Sequence, residues 1–254
     1  EAASAELAAR WGEAFPPAYR QQETPAQALA DLDLAEGLSP GDLPRVALRP
    51  APGGGRGLSL RLASPGGPLP LADALPLFES LDLRAIEEVP YRLEPRGGAP
   101  VVLHAYRLEA RAEVEEAQLP LLAEALTALL SGAAEADGFN RLVLRAGLSW
   151  RECWLLRAMF RWLKQVGFPF AQESVEAALA AQPEAASLLV AIFRARFDPD
   201  AETRDETRAA EAWAMLMEGL ADPDAERILA RLRTVFDAML RTNFFQAKDY
   251  LSFK

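Results

Sequence analysis

The sequence predicts an α+β fold: a small antiparallel sheet with helices on one face, followed by a mostly α-helical region. Three observations lead there. Across residues 44–111 glycine and proline become frequent and apolar residues alternate, as they do in strands. After Gly132 the apolar positions recur three and four apart, the helical period. Residues 137–170 (DGFNRLVLRAGLSWRECWLLRAMFRWLKQVGFPF) carry the strongest local signals, those of two packed helices.

The elements follow in order. Residues 1–12 read as a short helix with Leu7 and Trp11 one turn apart, stopped by Phe15-Pro16-Pro17. Thr24-Pro25 pairs a cap with proline at the first helical position and opens a helix to about Glu36, with Leu29, Leu32 and Leu34 as its apolar side. Strands are expected at 46–48 and 58–62, joined through Pro52-Gly53-Gly54-Gly55, then a helix at 69–81. A strand at 83–93, bent near Pro90, and another at 101–108 precede a long helix at 113–130. Asp137 caps a helix over 139–146, and Gly147 suits its left-handed end.

Ser149 and Glu152 form a capping box for a helix over 150–166. Leu155, Leu156, Met159, Phe160, Trp162, Leu163 and Val166 share one arc of it; Arg151, Arg157, Arg161 and Lys164 share the other, with Trp154 among them. That basic face reads as an arginine-flanked tryptophan under a neighbouring helix, or as a surface for an anion or partner domain. Helices at 172–181, 183–197, 203–220 and 223–240 complete the region, and 250–254 reads as the start of a strand. The domain division expected is 1–43, an N-terminal helical segment; 44–132, an α+β module; 133–247, a helical domain; and 248–254, the opening of a further domain.

Composition limits function. The 254 residues carry 27 basic and 37 acidic side chains, a net charge of −10, which argues against a nucleic-acid surface. One cysteine, Cys153, permits no internal disulfide and suits a reducing compartment, the cytoplasm. With one histidine, His104, a Cys/His zinc site within the chain is excluded. No apolar run approaches the ~20 residues of a membrane span.

Candidate chemistry is weak throughout. Gly53-Gly54-Gly55-Arg56-Gly57 leads into a strand, so it reads as a hairpin loop and not as a phosphate cradle. No motif gives His104 a catalytic partner, and Cys153 reads as a packed thiol. Asp198, Asp200 and Glu202 alternate like a calcium loop, but the sixth position is Thr203 and the twelfth Ala209, so an acidic turn is expected. The adjacent pairs Glu87-Glu88 and Glu115-Glu116 read as solvated faces. Asn140 and Arg141 read as local hydrogen-bonding groups or contacts to another domain. Phe244 and Phe245, at the end of the last helix, are expected against a domain surface lying elsewhere.

Several stretches carry a resemblance. They are FPPAYR at 15–20 with PAQALAD at 25–31; LADALPLFESLDLRAIEEVPY, ending at Tyr91; GFNRLVLRAGLSWRE, LLRA and GFPFAQESVEAAL within 137–179; and LRTNFFQ at 240–246 with YLSFK at the end. In these the chain resembles the large bacterial NAD-specific glutamate dehydrogenases. The resemblance implies that residues 44–132 form an ACT-like module, with one strand of the usual set displaced. It also implies that the chain lies ahead of the catalytic domain. On that reading the glycine-rich NAD fingerprint and the catalytic lysine lie downstream, and no catalytic, cofactor-binding or metal-binding residue is assigned here. NAD is expected only in the full-length enzyme. The partners implied are the catalytic domain of the same chain, a homo-oligomer, and an amino-acid effector near residues 57–73. A free-standing amino-acid sensor and a structural oligomerisation scaffold are the other two functions considered.

Overall fold

Alternation between residues 44 and 111 resolves into four strands: β1 (Arg45–Pro50), β2 (Gly57–Pro65), β3 (Leu83–Leu93) and β4 (Val101–Ala110). They form one antiparallel sheet in the order β1-β2-β4-β3, with a bulge between Ala85 and Glu87. This computed structural model describes residues 2–200 and 205–254. The chain divides into two units, Glu1–Gly132 and Ala133–Lys254.

In the first unit the sheet is covered on both faces. Leu58, Leu60 and Leu62 of β2 share a face with His104, Tyr106 and Leu108 of β4. Helices α4 (Leu71–Ser80) and α5 (Leu119–Leu130) cover that side, with Phe78 edge-on to Tyr106 at 5.0 Å. These are the module's own helices, and they lie on one face as expected. The opposite face is Ala63, Leu103, Val101, Tyr91 and Leu93. Against it pack Trp11 of α1 (Ala2–Trp11), Tyr19 of α2 (Pro17–Gln22) and Ala35 of α3 (Pro25–Ala35). One side of each strand was expected to stay uncovered. Instead both apolar sets of β4 are buried, because the N-terminal segment folds onto the sheet as a third layer.

Local chemistry explains the ends of these elements. Thr24 Oγ1 accepts from Gln27 N–H at 3.2 Å, and Pro25 opens α3. Pro17, read as a stop, opens α2, since proline suits the first helical turn. The long helix expected from residue 113 begins later: a 3-10 turn at Glu116–Gln118 leads into α5, where Pro120 takes an early helical position. In α3 the expected stripe is wrong in part. Leu29 is 66% exposed, whereas Asp31 is buried.

The second unit is helical. A 3-10 turn (Gly138–Arg141) leads into α6 (Leu142–Ala146), where a single helix was expected. Then come α7 (Trp150–Gln165), α8 (Gln172–Ala181), α9 (Pro183–Phe197), α10 (Glu206–Glu218) and α11 (Pro223–Ala238). The capping box at α7 forms as read: Ser149 Oγ accepts from Glu152 N–H at 3.3 Å and Glu152 Oε2 accepts from Ser149 N–H at 2.8 Å. Leu155, Leu156 and Met159 are buried in the same unit as Leu189, Phe193, Leu229 and Phe236. Each such side chain removed from water stabilises the fold by ~1.5–3 kcal/mol, so this apolar set outweighs any single polar contact. No single helix among the described residues is long and apolar enough to cross a membrane; α8 and α9 together approach that composition but bend by 95°. At the chain end Thr242 and Phe253 form an isolated antiparallel bridge.

Candidate functional site

His104 is buried between layers of the first unit. Its Nε2 accepts the Leu69 backbone N–H at 3.1 Å, and its Nδ1 lies 2.7 Å from Glu88 Oε1. A backbone N–H can only donate, so Nε2 carries the lone pair and Nδ1 the proton that goes to Glu88. Tyr106 stacks on the ring at 5.8 Å. His104 thus fastens the 66–70 turn before α4 to the sheet, and both its nitrogens are occupied. Glu88, expected on a solvated face, is the inward partner; Glu87 faces the other way and pairs with Arg107 at 3.1 Å.

The glycine-rich hairpin is a turn. Ala51 N–H bonds Gly57 O at 2.9 Å, and Gly53, Gly54 and Gly55 all take positive φ, which only glycine adopts without strain. A depression of about 340 Å³ beside it is lined by Glu113 and Glu115. Two carboxylates and a following strand do not fit the pyrophosphate of NAD, which needs a helix N-terminus and positive surroundings. Glu115 itself takes part in a capping box with Gln118.

In the second unit the main polar site is Arg157. It was read on the basic arc of α7, opposite the apolar one, yet it is 1% exposed. Its Nε donates to Asp137 Oδ2 at 2.5 Å and its Nη2 to Asp137 Oδ1 at 2.6 Å, a two-pronged pair that also reaches Asn140 Oδ1 at 3.0 Å. Asn140 completes the bracket by donating to Glu135 O at 2.7 Å, so its local role holds; Arg141 ends the same turn, half-buried. Gln172 joins Asp137 to Glu176, whose carboxyl is pushed above its ordinary range chiefly by burial. The spacing held a signal that was missed: residues 153, 156, 157 and 160 follow the i, i+3, i+4, i+7 pattern, which puts Arg157 with Cys153, Leu156 and Phe160.

Cys153 is fully buried, and burial pushes its thiol up to about 12, so it stays protonated and is no nucleophile. Arg151 stacks near Trp150, Trp154 and Phe244 at 5.3–5.6 Å and donates to Lys248 O at 3.2 Å. It therefore clamps this unit's own C-terminal segment. Phe244 and Phe245 also pack inside the unit, on Phe193 at 5.3 and 5.6 Å, not against a surface lying elsewhere. Asp198 Oδ1 accepts from Asp200 N–H at 3.0 Å in an acidic turn; Glu202 and Thr203 lie outside the described residues. Among the described residues no group of three or more His, Cys, Asp or Glu could hold a metal ion.

What remains is a groove. Between α7, the 167–169 turn and α11 lies a cavity of about 760 Å³, lined mainly by apolar side chains and by residues 251–254. Its lining holds no carboxylate side chain and no histidine, and the Thr234 hydroxyl is spent on the Ala230 carbonyl at 2.9 Å.

Residues 1–38 match the family model for glutamate dehydrogenase, helical motif 2; residues 47–119 that for glutamate dehydrogenase, ACT3 domain; and residues 134–199 that for glutamate dehydrogenase, helical motif 3. An NAD-specific glutamate dehydrogenase of Halomonas elongata is 36% identical over 98% of this chain and 16% of its own length. Those of Mycobacterium tuberculosis and Pseudomonas aeruginosa are 33% and 35% identical, over 95% and 100% of this chain and 16% and 17% of their own lengths. The chain thus spans about a sixth of the curated relatives it matches. Matched in three successive stretches by segments of one enzyme, it belongs to the NAD-specific glutamate dehydrogenase family, of which it carries helical motifs 2 and 3 and the ACT3 domain.

Proposed function

We propose that this chain is a non-catalytic, regulatory and assembly segment of an NAD-dependent glutamate dehydrogenase. The full-length enzyme would convert L-glutamate, NAD and water to 2-oxoglutarate, ammonia and NADH. The observation that carries the reading is the run of helical-motif and ACT3 matches along the chain. The side-chain chemistry supports it: the buried ionisable groups are consumed in holding turns and helices in place. In the full-length enzyme the segment supports subunit assembly and passes effector signals to the catalytic domain of the same chain. The test is direct. The 254-residue chain, incubated with glutamate and NAD, produces no NADH; turnover by the isolated chain would remove the proposal.

An amino-acid effector fits the turn between β2 and α4. There Pro70 gives the start of α4 no side-chain cap, so its first N–H groups suit a carboxylate. Calorimetry against a panel of amino acids should give binding that Gly66→Val weakens, since Gly66 holds a φ of +83° that valine resists. Silence across the whole panel would leave assembly as the segment's role, which light scattering at several concentrations then measures.

A further inference from the structure

The turn ahead of α4 is held by little. Within residues 66–70, Pro68 and Pro70 have no N–H. Among the described residues the other N–H groups of the turn make one hydrogen bond, from Leu69 to His104 Nε2 at 3.1 Å. A Cβ added at Gly66 or Gly67 would meet nothing within 4 Å, so the outer side of the turn is open. The acceptor is fixed by contrast. His104 is buried, with Glu88 Oε1 at 2.7 Å from Nδ1 and the Tyr106 ring stacked on its face. Turn and sheet are thus hydrogen-bonded through a single imidazole lone pair.

That lone pair is also where the ring would take up a proton. Imidazole is the side chain that changes charge between about pH 5 and pH 8. With Nδ1–H already given to Glu88, a proton from solvent goes to Nε2, and both ring nitrogens then donate. Leu69 N–H loses its acceptor and faces another donor. Glu88 meanwhile becomes the partner of a cation, the charge-assisted pair that a buried imidazolium requires. The other ionisable groups around the ring do not compete for it. Tyr106 is on the same strand face, whereas Arg61 of β2 belongs to the opposite face and pairs with Glu23. Asp73 and Glu79 of α4 and Glu124 of α5 are exposed, and Asp82 pairs with Arg111 at the far end of β3.

We propose that His104 is a proton-operated latch: the neutral ring holds the 66–70 turn to the sheet, and the imidazolium, kept in place by Glu88, releases it. The same turn is the place proposed for an amino-acid effector, so on that reading protonation sets how open the effector's place is. The latch itself does not rest on that reading.

Amide exchange of Leu69, read by NMR and divided by the intrinsic rate at each pH, tests it without any effector. Between pH 7.5 and pH 5.5 the wild type is expected to lose up to about tenfold in protection at Leu69, the worth of one net hydrogen bond, with β4 unchanged. His104→Gln can accept from Leu69 and donate to Glu88 but takes up no proton, so its Leu69 protection should be the same at both pH values. Equal wild-type protection at both overturns the latch, and so does the same loss in His104→Gln. Protection lost equally in β2 and β4 marks general acid unfolding and overturns it too. Should His104→Gln fail to fold, Glu88→Gln takes its place. It leaves the imidazolium without a partner, so the turn should stay closed at pH 5.5; release as in the wild type overturns the role given to Glu88 and the latch with it.

Discussion

The two units bury polar groups in opposite ways. In the sheet unit, Asp31 lies between α3 and the sheet, where Tyr19 donates to its Oδ2 at 2.7 Å and Gln27 to its Oδ1 at 2.8 Å. Burial pushes the carboxyl above its ordinary range, and the nearest cation, Arg61, stands 3.6 Å away with Glu23 as its closer partner at 2.7 Å. In the helical unit, Arg157 is a full cation under the surface, fixed by two short bonds to one carboxylate. A buried acid can shed its charge by holding a proton, but a guanidinium cannot, so it requires its partner in place. The sheet unit should therefore tolerate loss of its buried charge, and the helical unit should not.

The largest expected effect follows. Arg157→Leu removes the cation paired with Asp137, which keeps the Gln172 amide and the Phe139 N–H, and takes one donor each from Asn140 Oδ1 and the Glu135 carbonyl. Removing one member of a buried pair costs ~3–5 kcal/mol, enough to unfold a marginal unit. Amide exchange resolved by peptide should show global opening of α7 and α8, with β2 and β4 protected as before. A shift of less than about 1 kcal/mol, the scale of a surface pair, would break the contrast.

Next in size is Gly138→Ala. A Cβ there would stand 2.4 Å from Glu176 Oε2 and 3.0 Å from Glu176 Cβ. The carboxylate could swing away, but the Cβ moves only with α8, so overpacking of ~1–3 kcal/mol is expected. A lower urea midpoint at unchanged slope is the check. A midpoint equal to wild type would mean that α8 sits more loosely than the contact implies.

How far these features could be read from sequence depended on distance along the chain. Ser149 and Glu152 are three apart, and their box was legible because both partners belong to one turn. The strand positions followed from alternation. Arg157 and Asp137 are 20 residues apart, so the wheel placed the arginine by its charge, although its spacing matched Cys153 and Phe160. The third layer of the sheet unit was missed for a related reason. Arg61 alternates onto that face of β2, and its partner Glu23 comes from the N-terminal segment, 38 residues away. The apolar run Val101-Val102-Leu103 already hinted at burial on both sides. The groove could not be read at all, since Trp162 and Val166 look like ordinary core positions until the helices around them are placed.

Caps are smaller and allow a like-for-like measurement across units. Ser149→Ala removes a reciprocal box, whose Oγ also bonds Glu152 Oε2 at 2.8 Å; Thr24→Ala removes one exposed bond of 3.2 Å. Caps are worth ~0.5–2 kcal/mol. The serine should fall in the upper half and the threonine in the lower, measured as the drop in thermal midpoint. The reverse order would show that α3 depends on its cap more than on its packing.

The smallest effect is one of slope. Asp31 has a folded pKa above its ordinary 3.8, so the folded chain holds a proton that the unfolded chain has released. Stability then falls as pH rises, beginning near that ordinary value and ending once pH passes the folded pKa, above which the whole penalty is present. Asp31→Asn keeps the shape and cannot ionise, so it should flatten this slope in the sheet unit. Its net change at neutral pH should stay within ~1 kcal/mol, the worth of one rearranged hydrogen bond. Denaturant melts from pH 3 to pH 8, read by amide exchange in β2 and α3, follow the difference. If the wild type instead gained stability with pH through that window and the variant did not, the Asp31 carboxylate would be held by Arg61 as firmly as Asp137 is by Arg157, and the distinction between the units would dissolve.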